Sequence, residues 1–212
     1  LIDFYGIPSS KIKVIYMGTN KFFENDNEQI VKSLTKPFIL YVGDRKRYKN
    51  FLNLLKAFAL SSKLQNDFCL VCCGGGQFSK EELDIINKYK INRSQILQFD
   101  VNDDDLFHLY KNAQIFVFPS KYEGLGMPPL EAMSLGCPVV SSNHEAILEA
   151  VGDAACLFNP NEPEDIKFNI ENVIYSSEKI NDLKNRGFER SKLFTWTKCA
   201  KETLNIYKEI LN

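Results

Sequence analysis

Two glutamates separated by seven residues mark the segment of the sequence whose residue types best suit ligand chemistry. The segment reads PSKYEGLGMPPLEA over residues 119–132 and follows an apolar run. Glu123 stands where that run ends, and Gly124 and Gly126 allow a tight loop whose N–H groups can point at an anion or a sugar oxygen. Glu123 and Glu131 could together accept hydrogen bonds from two hydroxyl-bearing parts of one ligand. Each glutamate taken alone is equally compatible with a structural role.

A short helix is expected to hold the second glutamate. Pro128 and Pro129 suit the first turn of a helix, because proline lacks an N–H and its φ is already helical. Gly136 suits the position just after the helix ends. We therefore expect Glu131 in the first turn, where a negative charge also stabilises the helix dipole.

A cluster of cations, Arg45, Lys46, Arg47 and Lys49, precedes a second predicted helix. Asn50 can cap that helix, and the N–H groups at a helix start favour anions. Because arginine binds two phosphate oxygens and lysine acts as a point charge, the segment predicts a phosphate site. A solvated basic turn is the structural alternative. A nucleic-acid surface is disfavoured, since no basic, aromatic-rich face accompanies the cluster.

Glycines and cysteines elsewhere carry weaker signals. Residues 74–76 are three consecutive glycines that match neither the dinucleotide nor the P-loop spacing, so they indicate a close approach to a ligand or a loose turn. Cys69 and Cys72 have the C-x-x-C spacing, but they lie in an apolar, strand-like segment with no second pair to complete a metal site. We predict that the six cysteines are mostly buried and reduced, as in a cytosolic protein.

Composition excludes several classes of protein. The 212 residues carry 26 Lys and Arg against 27 Asp and Glu, and the net charge of −1 gives no general attraction to nucleic acid or an anionic membrane. Hydrophobic residues make up 44%, yet no apolar run approaches the ~20 residues of a membrane span. The sequence starts at Leu1, and residues 1–6 are typical of a last helical turn closed by Gly6. We therefore expect the sequence to begin inside a longer protein.

Strand-like and helix-like segments alternate along the sequence up to about Glu162. The strand-like segments are short and apolar: Ile12–Tyr16, Phe38–Val42, Phe68–Cys73, Gln95–Phe99, Ile115–Phe118, Val139–Ser141 and Cys156–Phe158. The helix-like segments begin at capping or first-turn residues: Asn50, Ser79, Asp103, Pro128, Pro163 and Thr195. Such alternation predicts βαβ units. We expect residues 1–212 to form one domain, an α/β, Rossmann-like, doubly wound parallel sheet of about six to seven strands with helices on both faces and a helical C-terminal tail.

The ordered set of motifs resembles the retaining glycosyltransferases of family 4 (group 1), which have the GT-B architecture. Glu123 and Glu131 match the E-x7-E signature of that family. Further matches follow in order at Phe4–Pro8, Val14–Gly18, Tyr41–Phe51, Phe118–Ser120, Gly136–Val140 and Val151–Ala155. The resemblance covers nearly the whole chain and implies the C-terminal, donor-binding half of a GT-B fold.

The resemblance also implies a role for each site residue. Arg45 and Lys49 would bind the donor diphosphate and stabilise the leaving group, Glu131 would bind the ribose hydroxyls, and Glu123 would meet the donor sugar. The other donor-binding residues are expected to be Gly43, Gly75, Phe99, Gly124, Leu125, Gly126 and Met127. Two positions depart from the family pattern: Phe99 replaces a frequent glycine near the base, and Asp44 stands where many members have arginine. No role is implied for His144.

Transfer of a sugar from a nucleotide-diphosphate sugar to an acceptor hydroxyl is the implied reaction. No metal or cofactor is expected, because cations can neutralise the leaving diphosphate. An acceptor domain would precede this chain, bind the acceptor glycan or glycolipid, and provide any peripheral membrane association. Residues 196–212 would form a terminal helix packed on that domain, and the isolated chain would be inactive.

Two alternatives remain open: a non-catalytic nucleotide-sugar-binding module, and a GT-B sugar-nucleotide epimerase. A role in bacterial surface polysaccharide or glycolipid assembly, in the cytoplasm, is expected by analogy.

Overall fold

A six-stranded parallel sheet forms the centre of the molecule. The computed structural model describes residues 2–19, 29–45 and 47–211. The strands are β1 Phe38–Val42, β2 Cys69–Cys73, β3 Ile96–Phe99, β4 Ile115–Phe118, β5 Val139–Ser142 and β6 Ala155–Phe158. Their order is β3-β2-β1-β4-β5-β6, and every neighbouring pair is parallel. The chain builds outward from β1 to β3 and then returns to the other side of β1, so the topological switch point lies between β1 and β4.

Helices occupy the connections between strands and the C-terminal part of the chain. They are α1 Ile2–Tyr5, α2 Gln29–Lys32, α3 Phe51–Ala59, α4 Ser62–Asp67, α5 Lys80–Lys88, α6 Asp103–Asn112, α7 Met127–Ser134, α8 Glu145–Val151, α9 Pro163–Ile174, α10 Ser177–Ser191 and α11 Trp196–Leu211. Single 3₁₀ turns lie at Ser9–Lys11, Arg47–Lys49 and Arg93–Gln95. The α/β, doubly wound fold with a helical tail is confirmed.

Alternating side chains of the strands feed two hydrophobic cores, one on each face of the sheet. In β1, Ile39 and Tyr41 enter the core formed with α3, α4 and α9, whereas Phe38 and Leu40 enter the core formed with α6, α7 and α8. Because both faces are covered, the strands are almost continuously apolar. This is why short apolar runs predicted all six strands to within one residue at each end.

Three local predictions need correction. Ile12–Tyr16 is not a strand, because residues 12–19 pair with no strand of the sheet. The cap of α6 is Asn102, whose Oδ1 accepts from the N–H of Asp105 at 2.8 Å, and Asp103 is the first residue of the helix. Asn50 precedes α3 but its side chain makes no capping hydrogen bond. By contrast, Ser79 caps α5 as predicted, and it forms a capping box with Glu82.

The segment before the sheet and the start of α11 lie side by side. The N–H of Thr19 donates to Phe194 O at 3.1 Å, and the rings of Tyr16 and Phe194 pack edge to face at 5.6 Å. Gly18 is so close to α11 that a Cβ there would lie 2.1 Å from the N atom of Trp196. Helix α1 ends as predicted, since the N–H of Gly6 donates to Ile2 O. The segment before the sheet and the start of α11 are therefore in direct contact around Phe194 and Trp196.

The structure also bears on the predicted state of the cysteines and on the search for a membrane-spanning helix. All six cysteines are free: four are buried, and Cys156 and Cys199 are partly exposed. Burial raises the pKa of Cys73 and Cys137 to about 12, which keeps both thiols protonated. Within residues 2–19, 29–45 and 47–211, no cluster of metal-ligating side chains occurs and no helix could cross a membrane.

Candidate functional site

Lys49 and Glu123 meet at the switch point of the sheet. Lys49 ends the 3₁₀ turn between β1 and α3, and Glu123 lies in the loop between β4 and α7. The Nζ atom of Lys49 is 2.7 Å from Oε1 of Glu123, with the side chains 16% and 12% exposed. A backbone hydrogen bond holds the two loops together: the N–H of Lys121 donates to Tyr48 O at 2.8 Å. Two loops that are far apart in sequence thus present one ion pair at the edge where open α/β sheets bind ligands.

The side chain of Asn50 also links these loops by hydrogen bonds. Its backbone is left-handed, at φ 57°, and its buried side chain points back rather than along α3. The Nδ2 atom donates to Pro119 O at 3.0 Å and to Pro160 O at 2.6 Å. Asn50 was expected to cap α3, and instead it links the loops that follow β1, β4 and β6. Asparagine suits this position because it tolerates positive φ and carries two donors.

The glycine-rich segment leads directly into α7. Gly126 has φ 78° and is buried, and a Cβ there would already touch Phe118 and Ile147 at 3.9 Å. Gly124 is exposed, whereas Leu125 and Met127 are half-buried. Helix α7 therefore begins at the ligand edge of the sheet. Pro128 and Pro129 carry no N–H, so among its first four residues only Met127 and Leu130 offer one to an anion.

Glu131 is the fifth residue of α7, so its predicted place in the first turn is wrong. The side chain is buried, with 7% of the residue exposed, and accepts a hydrogen bond from the Tyr110 hydroxyl at 3.3 Å. Burial, together with the charge of Glu131, raises the pKa of Tyr110, so the phenol remains a donor. A carboxylate held this deeply is a rigid acceptor rather than a surface charge.

Arg45 has partners that the sequence did not indicate. Its Nε donates to Glu82 Oε1 at 2.8 Å, and the two side chains are each only 4% exposed. The two terminal nitrogens donate to Gly74 O, Gly76 O and Gln77 O at 2.6, 2.6 and 2.9 Å. Arg45 is thus bound to the loop after β2, whereas the resemblance implies a contact with phosphate.

The other expected donor-binding residues lie at the ends of neighbouring strands. The N–H of Gly43 donates to Cys73 O at 2.9 Å, and that of Gly74 donates to Phe99 O at 3.1 Å. These bonds extend the ladder by one residue past β1 and β2. Gly43, Gly75 and Phe99 therefore lie at the same edge of the sheet as Glu123, which is where the sequence places them.

The predicted residues fall into two clusters. Lys49, Glu123 and the start of α7 form one, and Arg45 with the three glycines forms the other. Lys46 lies outside the described residues. Sequence reasoning missed Glu82 and Tyr110, the partners of Arg45 and Glu131. Only the capping box gave a signal for Glu82, and it pointed to a local role.

Comparison with known proteins agrees with this fold. The profile of the family described as "Glycosyl transferases group 1" matches residues 22–190. Among solved structures, a glycosyltransferase from Rickettsia africae superimposes with a TM-score of 0.84 at 23% identity, covering all of this chain and 60% of that one. The C-terminal domain of a group 1 glycosyl transferase (LpcC) from Francisella tularensis gives a TM-score of 0.69 at 23% identity, covering 81% of this chain and 94% of that domain. These structures share the fold of this chain.

Sequence relatives lead to the same family. O-antigen chain mannosyltransferase B of Escherichia coli is 34% identical over 173 residues, which cover 81% of this chain and 45% of that protein. Mannosylfructose-phosphate synthase of Agrobacterium fabrum is 27% identical over 222 residues, covering 96% of this chain and 49% of that protein. The chain spans about half the length of both relatives. Since the family profile includes all six strands, the loops between them and α7, the chain belongs to the group 1 glycosyl transferases.

Proposed function

We propose that this chain is the donor-binding portion of a retaining glycosyltransferase that uses a nucleotide-diphosphate sugar. The observation that carries the proposal is the Lys49–Glu123 pair, which brings a cation and a carboxylate from two loops to the switch point of the sheet. A nucleotide-diphosphate sugar offers what these groups bind: negative oxygens for the cation and hydroxyls for the carboxylate. Membership of the group 1 glycosyl transferases supports this choice.

Lys49 is the proposed diphosphate contact. Its ammonium is held between the loops and lies 5.7 Å from the centre of the Phe118 ring, so a diphosphate at this edge would reach it without a large movement of the chain. The N–H groups of Met127 and Leu130 at the start of α7 add partial positive charge on the same side. Negative charge that develops on the leaving phosphate oxygen would be stabilised by both, and no metal ion is required for that step.

The two glutamates take different parts of the donor. Glu131, rigid and hydrogen-bonded to Tyr110, accepts from the ribose hydroxyls. Glu123, at the end of β4, accepts from the donor sugar once Lys49 turns to phosphate. In the transfer, the bond between the anomeric carbon and the phosphate oxygen breaks, and a bond to the acceptor oxygen forms on the same face. The acceptor proton passes to the departing diphosphate, so the products are a nucleoside diphosphate and a glycoside.

Mannose is the proposed sugar, and a cell-surface polysaccharide the proposed product. Several relatives carry mannosyl transfer in their names, among them O-antigen chain mannosyltransferases of Escherichia coli and Salmonella typhimurium. The acceptor would bind between this chain and a further domain. We therefore expect the isolated 212-residue chain to bind the donor without transferring its sugar, because the acceptor is not positioned.

Calorimetric titration with GDP, UDP and their mannose conjugates tests the proposal. Losing a charge-assisted contact costs about 1.5–3 kcal/mol, so Lys49→Ala should bind the preferred diphosphate roughly tenfold to a hundredfold more weakly than the parent chain. Lys167→Ala, which breaks the exposed ion pair with Glu164, is the matched control and should bind like the parent. If Lys49→Ala and the control bind equally well, the diphosphate contact lies elsewhere.

A further inference from the structure

The loop after β2 is bound by a single buried side chain. Gly74, Gly75 and Gly76 all have positive φ, at 89°, 75° and 65°, so their backbone follows a path that other residues rarely adopt. The carbonyls of Gly74, Gly76 and Gln77 converge on the guanidinium of Arg45. The Gly75 carbonyl accepts as well, at 3.4 Å, so four carbonyls of one turn share one donor group.

The opposite side of these peptide units carries the N–H groups. In a trans peptide the C=O and the following N–H point in opposite directions. Because the carbonyls face Arg45, the N–H groups of Gly75, Gln77 and Phe78 face away from it. These three N–H groups donate to no group among the described residues. Gly75 and Gln77 are exposed.

Arg45 is itself fixed by a carboxylate. Glu82 accepts from Arg45 through Oε1 and from the N–H of Ser79 through Oε2, so one side chain joins the arginine to the start of α5. The guanidinium also lies 4.7 Å from the centre of the Phe78 ring. The guanidinium is closely surrounded, since a Cβ on Gly75 would lie 3.0 Å from Nη1 of Arg45. An arginine enclosed in this way has its donors directed at the loop.

We propose that Arg45, held by Glu82, is a positioning residue that keeps the loop at residues 74–78 in the conformation that binds the donor. The proposal rests on the proposed function for the identity of the ligand. Arg45 acts through the loop, whose outward N–H groups meet donor oxygens at the edge of the sheet, whereas Lys49 supplies the direct charge. The three glycines are explained at once: the loop needs positive φ to turn its carbonyls to Arg45, and any Cβ at Gly75 would displace the guanidinium.

Amide hydrogen exchange of the chain without ligand is the first test. In Arg45→Lys the charge remains, but one ammonium cannot span four carbonyls and Glu82. Exchange at Gly74 and Ser79, the hydrogen-bonded amides on either side of the loop, should accelerate at least tenfold. The amide of Leu60, which closes α3, should be unchanged, and Arg186→Lys on the surface is the control variant. Unchanged exchange at both loop amides would overturn the proposal.

Glu82→Gln covers the case in which Arg45→Lys also accelerates exchange at Leu60 through general unfolding. Glutamine keeps the shape of the side chain, removes its charge and replaces one of its two acceptor oxygens with an NH2 group. Because Glu82 itself accepts from the Ser79 amide, the readout here is Gly74, whose amide should accelerate by a smaller factor. If Gly74 exchanges as in the parent chain, Glu82 does not hold Arg45 in place and the proposal fails.

Nucleotide titration at two ionic strengths is the second test. A positioning role predicts that Arg45→Lys and Gly75→Ala each weaken diphosphate binding about tenfold, and that the double variant is no weaker than the weaker single one, because both changes disrupt the same loop. The ionic-strength dependence of Kd should match that of the parent, whereas Lys49→Ala should reduce it. Additive losses, or a reduced dependence in Arg45→Lys, would instead assign Arg45 to direct contact with phosphate. Absence of diphosphate binding in the parent chain would refute the proposed function, and the hydrogen-exchange result would still decide whether Arg45 holds the loop.

Discussion

At the scale of single residues, Glu123 and Glu131 are close in sequence and differ in environment. Glu123 forms an ion pair with Lys49 at the rim of the sheet, where a ligand can exchange partners with it. Glu131 lies inside α7 against Tyr110, where it keeps one position. The spacing in the sequence predicted two carboxylates on one ligand, but it could not predict which was buried, because burial depends on how α7 packs against α6.

The two environments predict different kinetic effects in an active full-length form of the protein. Glu131→Gln should raise KM for the donor several-fold and leave kcat nearly unchanged, because a contact that is equal in ground and transition states affects only binding. Glu123→Gln should lower kcat by more than it raises KM, because it acts at the sugar that reacts. Steady-state kinetics with varied donor measure both effects. Equal losses of kcat in both variants, with KM unchanged, would contradict the division.

The buried thiols predict a dependence of stability on alkaline pH. The pKa of Cys137 is raised by burial from 9.0 to about 12, so between these values the unfolded chain loses this proton and the folded chain keeps it. The unfolded state then binds fewer protons, and the free energy of unfolding falls as pH rises, by about 1.4 kcal/mol per pH unit for this thiol. Below pH 9 the contribution of the thiol is constant.

Urea denaturation of the parent chain and of Cys137→Ala between pH 8.5 and 10.5 measures this dependence. The variant is less stable at every pH because it loses packing, but its free energy of unfolding should fall less steeply above pH 9. Identical slopes would mean that the Cys137 thiol ionises equally in both states.

At the scale of elements, the sequence predicted the sheet well and the loops poorly. A strand covered on both faces must be apolar throughout, and this constraint is visible in runs such as Ile115–Phe118. The predicted strand at Ile12–Tyr16 was wrong because the segment pairs with no strand of the sheet: Tyr16 packs against Phe194, and Val14 is exposed. The partners of Asn50, Arg45 and Glu131 all come from distant parts of the sequence, and no local pattern encodes them.

Asn50 offers a test of how strongly the loops are linked. Asn50→Asp keeps the shape and the tolerance of positive φ, but replaces two donated hydrogen bonds by a carboxylate facing the carbonyls of Pro119 and Pro160. Leaving a buried acceptor without a hydrogen bond costs about 1–3 kcal/mol. Because two acceptors lose their donor, the free energy of unfolding should fall by about 2 kcal/mol or more. Asn53→Asp is the control, because Asn53 donates to Pro160 O alone and is partly exposed. A smaller loss in Asn50→Asp than in the control would refute the linking role.

At the scale of the whole molecule, apolar side chains are concentrated on the C-terminal helix. None of the residues of α11 is buried, and its apolar residues Trp196, Leu204, Tyr207 and Ile210 are at least half exposed. A shallow cavity of about 380 Å³ runs beside Trp196, Leu204 and Tyr207. An apolar helix face of this extent is typical of an interaction site.

Substitution of Gly18 tests how strongly the N-terminal segment is held against α11. In Gly18→Ala the new Cβ would overlap the backbone of Trp196, and backbone atoms cannot rotate away as a side chain can. The Thr19–Phe194 hydrogen bond should break, and amide exchange at Thr19 should accelerate at least tenfold, which corresponds to about 1.4 kcal/mol. Gly124→Ala, with no atom within 4 Å of its Cβ, is the control and should leave Thr19 unchanged. If Thr19 stays protected in the Gly18 variant, the close approach of Gly18 to Trp196 is not what holds the two segments together.

The side-by-side arrangement of Thr19 and Phe194 also has a mechanical consequence. Helix α11 begins beside this contact and none of its residues is buried, so a change of backbone direction at Thr195 moves the whole helix. At 1.5 Å per residue, the 16 residues of α11 span about 24 Å. A rotation of about 10° at Thr195 would therefore carry Leu211 through about 4 Å, roughly the width of one side-chain layer.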